Sequence, residues 1–247
     1  MNSGRIAPLT PNASLRFAVL ERLLPHDVAD VLEVGCGQGA AGVRLAQRYR
    51  YLGLEPDLTS WSVARQRLAA LGRGEVRNGT SAVLAEDRRF DVVCAFEVLE
   101  HIDDDAAALR DWKERLRPGG WLLLSVPAGQ HRFGPADELV GHFRRYDAEQ
   151  LTQLLSECGF SEITVRHYGF PLGYLLEFGR NRIAARRLRA RPVTTVAERT
   201  ATSGRLLQPA SRVRGAATRW GTAPFQALQR AFPGTGTGLI VRARASR

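Results

Sequence analysis

Val31-Leu32-Glu33-Val34-Gly35-Cys36-Gly37-Gln38-Gly39 runs from an apolar segment directly into three glycines at alternate positions. The apolar half, with its two valines, has the pattern of a buried parallel strand. Past the glycines, Ala40-Ala41-Gly42-Val43-Arg44-Leu45-Ala46 reads as helix. Glycine has no Cβ, so a strand–glycine–helix turn lets backbone approach a ligand closely. The first N–H groups of the helix lack partners within it and suit an anionic ligand group. This is the pattern of a loop for a nucleotide-type cofactor.

Gly37-Gln38-Gly39-Ala40-Ala41-Gly42 also fits the G-x-G-x-x-G of dinucleotide-binding folds. That fingerprint begins where the strand ends, whereas here Gly35 already occupies the turn. With an acid two positions before the first glycine, Glu33-x-Gly35-x-Gly37-x-Gly39 resembles the first motif of class I S-adenosylmethionine (SAM) methyltransferases. Phe90-Asp91-Val92-Val93-Cys94-Ala95-Phe96-Glu97-Val98-Leu99-Glu100-His101-Ile102 resembles the fourth-strand motif of that family, especially the branch with quinone-biosynthesis methyltransferases. Arg117-Pro118-Gly119-Gly120 before an apolar strand also resembles the family, and the segment from Asp137 to Tyr146 is similar to that of many bacterial small-molecule members.

The likeness covers roughly residues 30–168 plus the final strand. It implies an α/β, Rossmann-like sheet of seven mostly parallel strands, the last antiparallel, flanked by helices. It further implies SAM as cofactor, with Glu33, Gly35, Cys36, Gly37 and Gly39 around it.

The chain of 247 residues is 44% hydrophobic, enough for one sizeable core. No apolar run is long enough to span a bilayer, and residues 1–11 lack the apolar core of a secretion signal. Cys36, Cys94 and Cys158 are odd in number, widely spaced and set in apolar elements, as in reduced core thiols of a cytoplasmic protein. The net charge of +10 is segregated: residues 180–247 carry +14 and residues 1–179 carry −4. Such an arginine-rich third suits an anionic substrate group, a membrane surface or nucleic acid.

In chain order, a helix is expected over Asn12–Leu24, placing Arg16 either in solvent or near the carboxylate of SAM. A second strand ends at Glu55-Pro56-Asp57, 20 residues after Gly35, where a carboxylate at a strand tip can accept from both ribose hydroxyls. Asp57 is the expected cap of the helix through Trp61, Ala64 and Leu68. After the third strand, where the family often has an acid for adenine, Thr80 and Ser81 stand instead, leaving backbone at Ser81 and Ala82 to read the base. Phe96 and Glu97 come to the carboxyl edge beside the methionine part of SAM, and His101 follows within reach of the acceptor.

Residues 130–146 are dense in ionisable groups for a loop beside that edge. His142, Arg145 and Tyr146 are candidate substrate contacts, and an Asp/Glu–Arg network closing the loop is the alternative. Asp137, Glu138 and His142 lack a tidy ligand spacing, so no metal is expected. Asp147-Ala148-Glu149-Gln150 has the pattern of a capping box. Residues 169–237 between the last two strands form a basic insertion, too long for a hairpin loop, with helices expected near 173–190, 209–220 and 225–232. Its stripes Val213, Ala217, Trp220 and Phe225, Leu228, Phe232 are expected to pack in the core, a substrate lid being the alternative. The main domain is then 1–168 with 238–247.

The expected reaction is attack of an acceptor nucleophile, a hydroxyl or carboxylate oxygen of a small molecule, on the sulfonium methyl. A hydroxyl needs a base, for which His101 or His142 is suited, whereas an acid needs only an anion clamp such as Arg144, Arg145 and Tyr146. The basic third leaves peripheral membrane contact open. The strand end lacks the Asn/Asp-Pro-Pro-aromatic motif of enzymes acting on base amines, which argues against nucleic acid. An NAD oxidoreductase and a non-catalytic SAM or nucleotide sensor are the remaining rivals.

Overall fold

The apolar runs of the sequence become the strands of one sheet in the computed structural model, which describes residues 8–190 and 212–246. The strands are β1 (Asp30–Val34), β2 (Arg50–Glu55), β3 (Glu75–Asn78), β4 (Phe90–Phe96), β5 (Leu116–Pro127), β6 (Phe160–Gly169) and β7 (Gly236–Ala245). Their spatial order is β3-β2-β1-β4-β5-β7-β6, and β7 runs antiparallel to both its neighbours. The expected seven-stranded, mostly parallel sheet is thus formed. Val31, Leu32, Val92, Val93 and Leu122–Leu124 are fully buried, because helices cover both faces of these central strands. The order reverses between β1 and β4, which opens a crevice at their carboxyl ends.

Helix α1 (Pro11–Leu23) starts where the Thr10 hydroxyl accepts from the Ala13 N–H at 3.2 Å and Pro11 occupies the first turn. It buries Leu15 and Leu20. Helix α2 is shorter than its sequence suggests, Gly42–Leu45 only. Gly42 packs against the Tyr51 hydroxyl, where a Cβ would collide. Asp57 caps α3 (Leu58–Leu71) by accepting from Ser60 N–H at 2.9 Å, as expected. Helices α4 (Asp105–Glu114), α5 (Pro135–Val140) and α6 (Ala148–Glu157) follow. The capping box anticipated at α6 does not form: the Asp147 side chain makes no bond to its own helix, and its carboxylate instead accepts from Gln130 N–H at 3.4 Å.

Two helices fill the described part of the β6–β7 connection, α7 (Leu172–Ala190) and α8 (Arg212–Ala231). The helices expected near 209–220 and 225–232 are a single helix that continues through Pro224. Residues 209–211 and the side chains of Val213 and Ala217 lie outside the described residues. The expected core stripe is corrected as well. Phe225 packs against the core as expected, but Trp220 is 77% exposed and Leu228 and Phe232 are exposed too, while the buried positions of α8 include Thr222 and Gln229. Those polar groups are satisfied: Thr222 Oγ1 lies 3.1 Å from Ser14 Oγ, and Gln229 donates to the Leu15 carbonyl at 3.0 Å and accepts from Gly169 N–H at 3.0 Å. A hydrogen-bonded polar face can be buried as readily as an apolar one. Helix α8 therefore fastens α1 over the sheet. No described helix is long and apolar enough to cross a membrane.

Candidate active site

The crevice at the carboxyl ends of β1 and β4 is a cavity of about 1270 Å³. Single small ligands usually occupy roughly 300–1,000 Å³, so there is room for a cofactor and an acceptor together. One end is the glycine loop. Gly35, Gly37 and Gly39 all have left-handed φ, at 65°, 54° and 75°. A Cβ on Gly35 would lie 2.6 Å from Val98, whereas one on Gly37 would meet nothing within 4 Å and would project into open space. The loop is a cradle shaped by absent side chains, which fits backbone lying against a ligand.

Glu55 ties the loop to the β2 tip. Its carboxylate accepts from Gly37 N–H at 2.8 Å and from Asp57 N–H at 2.9 Å. Each oxygen keeps a further lone pair for a ligand hydroxyl. Burial raises the Glu55 pKa, and the two N–H donors oppose that shift. Glu33 lies deeper and accepts from the Tyr51 hydroxyl at 2.6 Å. Burial pushes its carboxyl up to about 7, against the opposing pull of Tyr51 and Arg16. Cys36 and Pro56 also line the cavity; Thr80 and Ser81 do not, lying on a turn beyond it.

The β4 end holds a tighter set. Glu97 has φ 58°, a left-handed backbone uncommon for a residue with a Cβ. Its N–H donates to the Ser125 carbonyl, and its carboxylate accepts from Ser125 Oγ at 2.9 Å and Tyr168 Oη at 3.0 Å. Arg16 reaches over from α1 to within 3.3 Å of the same oxygen, and its side chain is only 18% exposed. Arg16 is therefore a paired wall residue and not a solvated one. Burial alone would raise the Glu97 pKa; Arg16 and the hydroxyls overcome that and lower it.

His142 and Asp137 form a dyad, with Nδ1 2.7 Å from Oδ1. Asp137 also accepts from Arg145 and from Gly134 N–H at 2.9 Å. Burial favours the neutral acid, but His142 and Arg145 outweigh it and bring Asp137 down to about 2. His101 stacks edge-on against His142, centroids 4.6 Å apart. Burial, aided by His142, lowers His101 to about 4, and its Nδ1 is sealed without a partner. Glu100 is fully buried, and both its oxygens lack hydrogen-bond partners among the described residues. Desolvation and the Glu97 charge raise its pKa well above the usual carboxylate range. Ligand atoms of Glu100, His101 and His142 lie within 4.8 Å of one another, so among the described residues these three, and not Asp137, Glu138 and His142, are the set that could hold a cation.

The other candidates in the 137–146 segment point elsewhere. Arg145 is 3% exposed, and its guanidinium lies between Asp137 and Glu177, 2.7 Å and 3.2 Å from their oxygens. Arg144 pairs with Asp105 at 2.8 Å, and the Tyr146 hydroxyl donates to the same carboxylate at 2.9 Å. Neither Arg144 nor Tyr146 lines the cavity. No anion clamp is assembled from these three; the acid–arginine network is what forms. Tyr168, Glu177 and Arg180 line the cavity without having been singled out in the sequence. Only Glu177 carried a hint, as the single acid of α7.

A model described as a methyltransferase domain matches residues 12–165, well over half of the chain. The chain belongs to this methyltransferase-domain family. Among curated relatives, a probable SAM-dependent methyltransferase of Mycolicibacterium smegmatis is 36% identical over 152 residues, 59% of this chain and 58% of that protein. A ubiquinone biosynthesis O-methyltransferase of Leptothrix cholodnii is 36% identical over 127 residues, 48% of this chain and 53% of that protein. The chain thus matches little more than half the length of these relatives. Among solved structures, phosphoethanolamine N-methyltransferase 2 of Haemonchus contortus in complex with SAM superposes with a TM-score of 0.57 at 18% identity, over 94% of this chain and 52% of that one. This likeness concerns the fold.

Proposed function

We propose that the protein transfers a methyl group from SAM to an oxygen of a small-molecule acceptor, with His142 as general base. The observation that carries the reading is the Asp137–His142 dyad in the same cavity as the glycine cradle. Bound SAM supplies an electrophilic methyl group on a sulfonium whose departure needs no acid. The chain's own residues then have three tasks. The glycine loop and Glu55 hold the cofactor's polar groups. The cavity walls align the acceptor oxygen, which is most of the catalysis in a displacement of this kind. His142 removes the acceptor's proton.

Asp137 fixes the tautomer for that last task. With Nδ1–H donating to its carboxylate, the lone pair of His142 lies on Nε2, which makes no hydrogen bond and whose nearest carboxyl oxygen, Glu100 Oε1, is 3.9 Å away. A proton taken at Nε2 leaves an imidazolium beside an ionised carboxylate. His101 is less suited, because its free nitrogen is sealed and its basicity is depressed. The name of the Leptothrix relative favours an oxygen acceptor.

Calorimetry with SAM and its demethylated product, S-adenosylhomocysteine, tests the cofactor. Glu55→Ala should weaken both by about 10–100-fold, since hydrogen bonds to a charged group contribute roughly 1.5–3 kcal/mol. Unchanged affinity in a folded variant would remove Glu55 from the site, and tight NAD binding would redirect the reading to an oxidoreductase. Release of S-adenosylhomocysteine with a panel of phenols and acids tests the reaction itself; absence of any product with bound SAM would favour a sensor.

A further inference from the structure

On the wall of the cavity made by α5 and α7, one arginine has no carboxylate partner among the described residues. Asp137 on α5 is matched by Arg145 and His142. Glu177 on α7 is matched by Arg145 at 3.2 Å and by Arg132 at 3.0 Å. One turn further along α7, Arg180 also lines the cavity. No carboxylate among the described residues pairs with it, and its Nη groups, unlike its Nε, are not sealed from the cavity and make no bond to those residues. A guanidinium with free donors matches the oxygens of a carboxylate or phosphate monoester, often through two parallel bonds.

Arg180 is also well placed for an acceptor. It stands on the wall shared with His142 and Asp137, across the sheet from the glycine loop on β1. The charges nearer the cofactor end are already matched, Arg16 with Glu97 at 3.3 Å and Glu55 with two backbone N–H groups. We propose that Arg180 binds an anionic group, a carboxylate or a phosphate monoester, on the methyl acceptor. This deepens the proposed function and rests on it for the word acceptor. The acceptor then presents its hydroxyl to His142 Nε2 and its anion to Arg180, so one molecule is held at two points. Arg180 sets which acceptors are taken, while His142 handles the proton.

The test uses the full chain, with and without saturating S-adenosylhomocysteine, and three probes of similar shape: benzoate, phenyl phosphate and the neutral benzamide. Calorimetry should show one anion binding at least about 10-fold tighter than benzamide. Arg180→Gln should erase that preference, Arg180→Lys should keep part of it, and S-adenosylhomocysteine affinity should be unchanged in both. Arg182→Gln, on the exposed side of the same helix, should leave the preference intact. Which anion is preferred separates a carboxylic acid from a phosphate ester. Benzamide binding as well as both anions, or no probe binding at all, would overturn the proposal. So would a preference that survives Arg180→Gln or falls with Arg182→Gln, or a loss of S-adenosylhomocysteine affinity in Arg180→Gln, which would assign Arg180 to the cofactor. If wild-type protein fails to bind S-adenosylhomocysteine yet prefers an anion through Arg180, the cofactor reading fails and the anion site stands.

Discussion

His142→Ala should lower methyl transfer to a hydroxyl acceptor by about 10²–10⁴-fold while leaving S-adenosylhomocysteine affinity within a few-fold of wild type. The size follows from what general base catalysis contributes when the base sits against the proton it removes. The selectivity follows from position: His142 belongs to the loop after α5, and the cofactor cradle is built by β1, β2 and β4. His101→Ala provides the contrast. Its free nitrogen is sealed and its pKa is near 4, so its loss acts through the packing of His142 and should cost far less in rate. Single-turnover rates on one acceptor separate the two. Equal losses in both variants would mean that the pair acts together and that His142 is not the sole base. Near-normal rates in both would end the base assignment.

Asp137→Ala should be the most destabilising change in the site. Asp137 is 2% exposed and neutralises Arg145, itself 3% exposed. Breaking a buried pair by removing one partner typically costs about 3–5 kcal/mol, because the remaining charge stays buried. Glu177 still contacts Arg145, which places the expectation near 3 kcal/mol at the lower end of that range. Denaturant unfolding at neutral pH measures this. The acid limb supplies the sign. The folded-state pKa of Asp137 is depressed to about 2, so its contribution is complete above the usual carboxylate pKa near 4 and is lost as pH falls through 2. The stability gap between wild type and Asp137→Ala should therefore be flat above about pH 5 and narrow below pH 4. A gap that is constant down to pH 2 would show that Asp137 is not held ionised by Arg145 and His142.

Much of this was legible along the chain. The strand–glycine turn at 31–39, the acid at the tip of β2 and the apolar run of β4 are local patterns, each confined to a dozen residues. Local periodicity and steric rules act at that range, so they place β1, β2 and β4 and hence the crevice between them. Residue pairing is not local. Arg144 and Arg145 are neighbours in sequence, yet one pairs with Asp103 and Asp105 and the other with Asp137 and Glu177. Nothing in the run Phe143-Arg144-Arg145-Tyr146 says which arginine meets solvent, substrate or a carboxylate 32 residues on.

The same limit explains α8. An apolar stripe predicts a buried face only when the surface opposite is apolar, and α8 instead meets hydrogen-bonding groups of α1 some 200 residues earlier. By itself the sequence determined the sheet, the glycine cradle and the presence of histidines and carboxylates at its edge, because those follow from backbone sterics and from apolar runs. Only the tertiary structure decided that Asp137 orients His142, that Arg145 is neutralised and that Arg180 meets no carboxylate of the described residues. Those outcomes depend on which distant charges share a desolvated wall, and the energy of a charge there is set by its neighbours in space.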